Sequence, residues 1–250
     1  MPKVAIKKSV GLKGVNKSED VVVIKKRLIE LGFDWLTADE AIGPVTVDAI
    51  RLFQAIKNGF DTVKIIKNDG LINVDGDTHR WLQAANAPHW QKMPAGSKAQ
   101  GFVNDEVTDT SDNHDFGTGW LAETLRETGA SYRDDFLKTH SDTALLRIND
   151  ASKPRGGDTS MHAGHQSGLV CDIRLPRKDG GVGGIEVTSP NYDRAAMRAI
   201  IKAFRKQKLA DRVLLNDTTL IGERLCRPAA GHHDHAHFEI FPPVREMDSD

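Results

Sequence analysis

Four of the chain's ten histidines fall within six positions of the stretch GHHDHAHFEI, residues 231–240: His232, His233, His235 and His237. Imidazole is both a common metal ligand and the side chain that exchanges protons near neutral pH. If "HAHFEIF" is a strand, its period of two places His235, His237 and Glu239 on one face and Phe238 and Ile240 on the other. A second passage, "HAGHQSGLVCDIRL", holds His165 and Asp172 with six residues between them. Its "LVCDIRL" portion alternates like a half-buried strand, with Asp172 on one face and Cys171 on the other. A hydrolytic metal centre wants three N or O ligands and an open position for water, and His165, Asp172 and His237 supply that count. Spacing alone is equally compatible with ordinary surface and core histidines.

These side chains need elements to hold them. Residues 119–250 read as mixed α+β: a helix over "WLAETLRETG", a strand over "ALLRI", the two histidine-bearing strands, and an amphipathic helix over "RAAMRAIIKAFRKQKLA". That helix turns Met197, Ile200, Ile201 and Phe204 inward and a solvated basic face outward. Residues 1–90 read instead as a small helical unit. Val21, Ile24, Leu28 and Leu31 recur at helical spacing before Gly32, and a second helix opens at Pro44 and carries Val47, Ile50, Phe53 and Ile56 before Gly59. "DTHRWLQAA" predicts a third, shorter helix with Asp77 as its cap. Between them the periodicity lapses into Pro, Gly, Ser, Asn and Asp, so residues 91–118 are expected to be a linker.

At 250 residues, 28% charged and with a formal net charge of -1, the chain has no basic excess for a phosphate backbone, so nucleic acid is not an expected partner. No terminal apolar run predicts a membrane span or a signal peptide. Cys171 and Cys226 lack metal-binding spacing and could form one disulfide or remain free thiols.

The helical stretches "SVGLKGVNKSEDVVVIKKRLIELGF", "IGPVTVDAIRLFQA" and "DGLINVDGDTHRWLQ" resemble the three-helix peptidoglycan-binding module found on many cell-wall hydrolases. "NDASKPRGG", "HAGHQSGLVCDI" and "HHDHAHFEI" resemble, in order and internal spacing, the penicillin-insensitive murein endopeptidases, zinc peptidases of the group that includes lysostaphin-type and D-Ala-D-Ala metallopeptidases. The resemblance implies a central antiparallel sheet, Zn2+ as cofactor, and His165, Asp172 and His237 as its ligands. It also implies His235 as the catalytic histidine and His162 and His232 as supporting active-site residues. Arg155, beside two glycines, could position a carboxylate of a peptide stem. His233 matches no role. The sequence departs from the family pattern at Val170 or Cys171, where an acidic residue is usual, and at Arg174, where a tryptophan is usual.

The implied activity is hydrolysis of D-alanyl-meso-diaminopimelate crosslinks of peptidoglycan by a monomer. The alternatives are an L-alanyl-D-glutamate endopeptidase or amidase of the wall, and a noncatalytic wall-binding protein. Without a signal peptide, such a protein is expected to reach the wall as a phage lysis enzyme released through holin lesions, or as an effector injected by specialised secretion.

Overall fold

A computed structural model describes residues 4–109, 113–160 and 162–246. The helical unit opens with strand β1 (Val10–Gly11), followed by α1 (Ser18–Glu30), α2 (Pro44–Asn58), β2 (Leu71–Ile72) and α3 (Asp77–Leu82). α1 and α2 bury the faces their spacing specifies: Val21, Ile24, Leu28, Ile50, Phe53 and Ile56 are all inaccessible to solvent. Pro44 opens α2, and Gly59 closes it at φ +72°. α3 is capped by Gly76 and not by Asp77, which is its first helical residue. The Asp77 carboxylate instead meets the buried Lys57 ammonium at 2.6 Å, an ion pair that removes it from the capping role.

β3 (Trp90–Lys92), β4 (Gly96–Ser97), β5 (Phe102–Asn104) and β6 (Phe116–Thr118) come next. The chain continues with α4 (Gly119–Tyr132), β7 (Leu146–Ile148), β8 (Val170–Arg174), α5 (Arg194–Arg205), β9 (Ala210–Leu214), α6 (Thr218–Gly222) and β10 (His235–Ile240). Six strands form one sheet in the order β4-β5-β7-β8-β10-β9. All its pairs are antiparallel except β5–β7, which is parallel. α5 buries Met197, Ile200, Ile201 and Phe204 as its pattern requires. Part of its basic face is paired, Arg198 with Glu223 and Arg194 with Asp217.

The stretch 91–118 is more than a linker. It supplies β4 and β5 to the six-stranded sheet and pairs β6 with β3, and Phe102 is fully buried. These strands are only two or three residues long, too short for an alternation signal, and the turns between them carry the polar residues that read as loop. Residues 110–112 of that stretch lie outside the described residues.

The helical unit is not merely tethered to the sheet. Gly32 adopts φ +90° against β3, where a Cβ would lie 1.9 Å from the Trp90 carbonyl oxygen. The Trp81 and Trp120 rings meet edge-on at 5.9 Å, and the Val63 N–H donates to Gln166 Oε1 at 3.0 Å. The buried apolar side chains of both units belong to one continuous core. No helix among the described residues is long and apolar enough to cross a membrane.

Candidate metal centre

β8 and β10 are neighbours in the middle of the sheet, and their register sets Asp172 opposite His237 and Arg174 opposite His235. All four therefore stand on one face, while Cys171 and Phe238, also paired, occupy the other. The loop before β8 brings in the second histidine passage. His165 and Asp172 are buried, 2% and 1% exposed. Three ligand atoms converge: His165 Nε2 lies 3.2 Å from His237 Nδ1 and 3.3 Å from Asp172 Oδ1, and His237 Nδ1 lies 2.8 Å from Asp172 Oδ1.

The outer atoms of the two rings fix which nitrogens face inward. His165 Nδ1 is 2.9 Å from the Ala151 carbonyl, an acceptor, so Nδ1 carries the proton and Nε2 offers its lone pair to the cluster. His237 Nδ1 is hydrogen-bonded to Asp172 Oδ1 at 2.8 Å, through a proton that a cation would replace, and its Nε2 lies 3.6 Å from Glu239 Oε1 on the outer side. A carboxylate or carbonyl behind each ring is the support that metal-bound histidines ordinarily have. Ligand bonds of about 2.0–2.2 Å in a tetrahedral set place ligand atoms about 3.3–3.6 Å apart; the 3.2 and 3.3 Å separations from His165 approach this, and the 2.8 Å hydrogen bond between His237 and Asp172 would open by about half an ångström around an ion. Three converging ligand atoms in a buried site fit a cation.

His162 provides a further donor. His162, His165 and Asp172 form a group that could hold a metal ion, with ligand atoms all within 4.8 Å of one another. His162 Nδ1 is 3.9 Å from Asp172 Oδ2, and its Nε2 points to Asp150 Oδ2 at 3.2 Å. Its ring packs against His165 at 4.4 Å and edge-on against the buried His114 at 5.6 Å.

Electrostatics keep the carboxylate charged. Burial alone would raise the pKa of Asp172, but hydrogen bonds from His165 and His237 and the charges of His165 and His235 hold it far below the usual carboxylate range. Burial opposes protonation of His165, and the hydrogen bond and charge of Asp172 overcome it, so its pKa is raised. His232 is shifted the other way, chiefly by burial. Its Nδ1–H donates to the Ala230 carbonyl at 2.8 Å, and its ring stands 4.9 Å from His235 and 5.5 Å from His237. His235, partly exposed, sets Nδ1 at 2.8 Å from Asp234 Oδ1 and Nε2 at 3.6 Å from Asp172 Oδ2.

The structure thus gathers His162, His165, Asp172, His232, His235 and His237 at one place. It does not join Arg155 to them. Arg155 is exposed and lines a cleft of about 250 Å³ with Trp35, Asp48 and Leu52 of the helical unit. His233 is exposed and accepts from Asn216 Nδ2 at 3.3 Å. Cys171 and Cys226 are free and buried, and burial pushes the Cys171 thiol well up and Cys226 up to about 11.

Sequence reasoning missed Asp61. This residue follows α2, yet its carboxylate accepts the His165 N–H at 2.8 Å, the Gln166 N–H at 3.0 Å and the Ser167 hydroxyl at 3.4 Å. His165 has φ +64°, a left-handed conformation that costs a residue with a Cβ about 1–2 kcal/mol. Asp61 holds the loop in that conformation. No spacing rule connects positions more than a hundred residues apart; Asp150, behind His162, is nearer but lacked a pattern of its own.

Residues 17–59 match the family model described as Putative peptidoglycan binding domain. The match supports a peptidoglycan-binding module over these residues. The match covers α1 and α2 and supports association with the cell wall, with peptidoglycan as partner. Among curated proteins none matches the chain.

Proposed function

We propose that the chain is a zinc peptidase acting on the peptide part of peptidoglycan, with crosslinks of D-alanyl-meso-diaminopimelate type as its substrate. The observation that carries the reading is the convergence of His165 Nε2, Asp172 Oδ1 and His237 Nδ1 within 3.3 Å of one another, in a chain that also has a peptidoglycan-binding module. His237 is favoured over His162 as the third ligand because its Nδ1 lies 2.8 Å from Asp172 and 3.2 Å from His165 Nε2, whereas His162 Nδ1 lies 3.9 Å from Asp172. A zinc ion held there would supply an acidified water and a Lewis acid against the scissile carbonyl.

The surrounding side chains handle protons and position the substrate. His235 shares the strand face with His237, and the Asp234 carboxylate at its Nδ1 keeps the proton on that nitrogen in the neutral ring. Nε2 is then free to take a proton from the attacking water and return it to the leaving amine. His232, with its Nδ1–H committed to Ala230, offers Nε2 as an acceptor for a substrate N–H. His162, held between Asp150 and the His165 ring, braces the first ligand. Binding through the helical module raises the local concentration of wall peptide at this site.

The test is metal analysis of the purified full chain with digestion of isolated walls. Zinc near one equivalent, with crosslinked muropeptides converted to monomers, is the expected result. Release of free glycan strands and intact stems would mean an amidase instead, and no digestion with or without zinc would leave a wall-binding protein. His235→Ala is expected to retain zinc and lose about 10²–10⁴-fold in turnover. Full turnover in that variant would remove His235 from the mechanism.

A further inference from the structure

Arg174, one of the positions that depart from the pattern of the family the sequence resembles, stands directly across from His235 and two residues along β8 from Asp172. It is therefore on the ligand-bearing face, about 6.6 Å along the strand from the Asp172 row. Its guanidinium is fixed in place. Arg174 Nε donates to Asp105 Oδ2 at 2.8 Å, and Arg147 grips the same carboxylate with Nε at 3.0 Å and Nη2 at 2.5 Å. Val103 on β5 pairs with Arg147 on β7, and the β7–β8 register sets Ile148 opposite Ile173. Arg147, Arg174 and His235 thus form one row across adjacent strands, next to the row of Asp172 and His237, and Asp105, in the turn directly after β5, reaches both arginines.

Two guanidiniums against one carboxylate leave a positive charge. Arg147 uses two of its nitrogens on Asp105, whereas Arg174 uses only Nε, and among the described residues no other acidic group pairs with Arg174. Its side chain is 31% exposed, so the terminal nitrogens are open to a ligand at the edge of the site. Such a rigid, partly desolvated fork suits a carboxylate rather than a neutral amide. In a D-alanyl-diaminopimelate crosslink, the carbon bonded to the scissile nitrogen carries a carboxylate, two bonds beyond that nitrogen. With the scissile carbonyl over the Asp172–His237 row, this carboxylate falls toward the neighbouring row.

We propose that Arg174, braced by Asp105 and Arg147, binds the carboxylate on the amine side of the scissile peptide bond and makes the site selective for stems in which that group is a free acid. The inference rests on the peptidase reading above, and its test separates the two. Crosslinked muropeptide dimers identical except for a carboxylate or a carboxamide at that carbon are compared as substrates of the full chain. The wild type is expected to favour the acid by about 10- to 100-fold in kcat/KM. Arg174→Ala and Arg174→Gln are expected to lose that preference by losing rate on the acid alone, and Arg174→Lys to keep part of it. Calorimetric binding of the same two dimers to metal-free protein should show the same preference and the same loss. Equal rates on both dimers in the wild type, or a preference that survives in Arg174→Ala and Arg174→Gln, overturns the inference while leaving hydrolysis intact. If neither dimer is cut, the peptidase reading falls, and equal binding of the two dimers removes the Arg174 site as well.

Discussion

The helical unit and the sheet bury polar side chains in opposite ways. In the helical unit, Gln54 on α2 is 3% exposed and fully engaged: its amide nitrogen donates to Asp69 Oδ1 at 2.8 Å and to the Leu71 carbonyl at 3.0 Å. Its oxygen accepts the Gly70 N–H at 2.8 Å. Donors and acceptors alternate, and the group locks the loop after α2 against the helix. On the sheet, His165, Asp172 and His237 point three ligand atoms at one spot. Groups satisfied among themselves serve the fold, whereas ligand atoms that converge on one spot could hold a cation, so similar burial serves structure in one region and fits a binding site in the other.

Breaking each region should therefore fail differently. The largest effect is expected from Asp172→Asn, which keeps the shape but removes the charged ligand: metal affinity, read by chelator competition, should fall by more than about 10³-fold. The metal-free protein should also lose some stability at pH 7, because the lowered pKa of Asp172 stabilises the fold there; a loss of stability with no loss of metal affinity would show that the cluster is a structural network like that of Gln54. Asp61→Ala tests the joint between the regions. It leaves two backbone N–H groups and the left-handed His165 without support, and metal affinity should weaken by about 10- to 100-fold, as for other groups that orient ligands. Sedimentation with isolated walls should remain as in the wild type, and unchanged metal affinity would show that His165 holds its conformation without the helical unit.

The converse variant, Gln54→Ala, should cost about 2–3 kcal/mol in urea unfolding by orphaning the Gly70 N–H and the acceptors around it. Its metal affinity should stay within twofold, and a parallel loss of both would join the two regions more tightly than Asp61 does. The smallest effect concerns Asp217, which caps α6 and accepts Arg194 Nε at 2.7 Å. Burial would raise its pKa, but Arg194, the Leu220 N–H and Tyr192 together hold it below the ordinary carboxylate value. A lowered folded pKa means that the stabilisation is complete above the unfolded value of about 3.9 and disappears as the pH falls through the folded one. Asp217→Asn, which keeps a capping side chain but loses the charge that Arg194 meets, should thus unfold about 1 kcal/mol more easily than the wild type at pH 7, and the difference should shrink as the pH falls through the folded pKa. A pH-independent difference would assign the effect to packing.

Local pattern made the helices and the two central strands legible. Val21, Ile24 and Leu28 on α1 and the alternation of His235, His237 and Glu239 on β10 follow from the geometry of one element, and each element's period can be read from its own residues. The register that sets Asp172 against His237 follows no such period, because two strands more than sixty residues apart choose their pairing through the whole sheet. The same limit hid β4 and β5, whose few residues gain strand geometry only from their neighbours.

The sequence by itself determined the helical unit, the two histidine-bearing segments, the side of each strand on which their ligand atoms fall, and the residue types able to hold a cation. Only the tertiary structure decided that His165 Nε2 and His237 Nδ1 face Asp172, that Arg155 lies on the cleft beside α2 while Arg174 stands next to His235, and that Asp61 supports His165 from the other unit. Side-chain type and local period are written in neighbouring residues. A ligand set is a property of distance, and distances between remote residues exist only once a shared core has closed the loops between them.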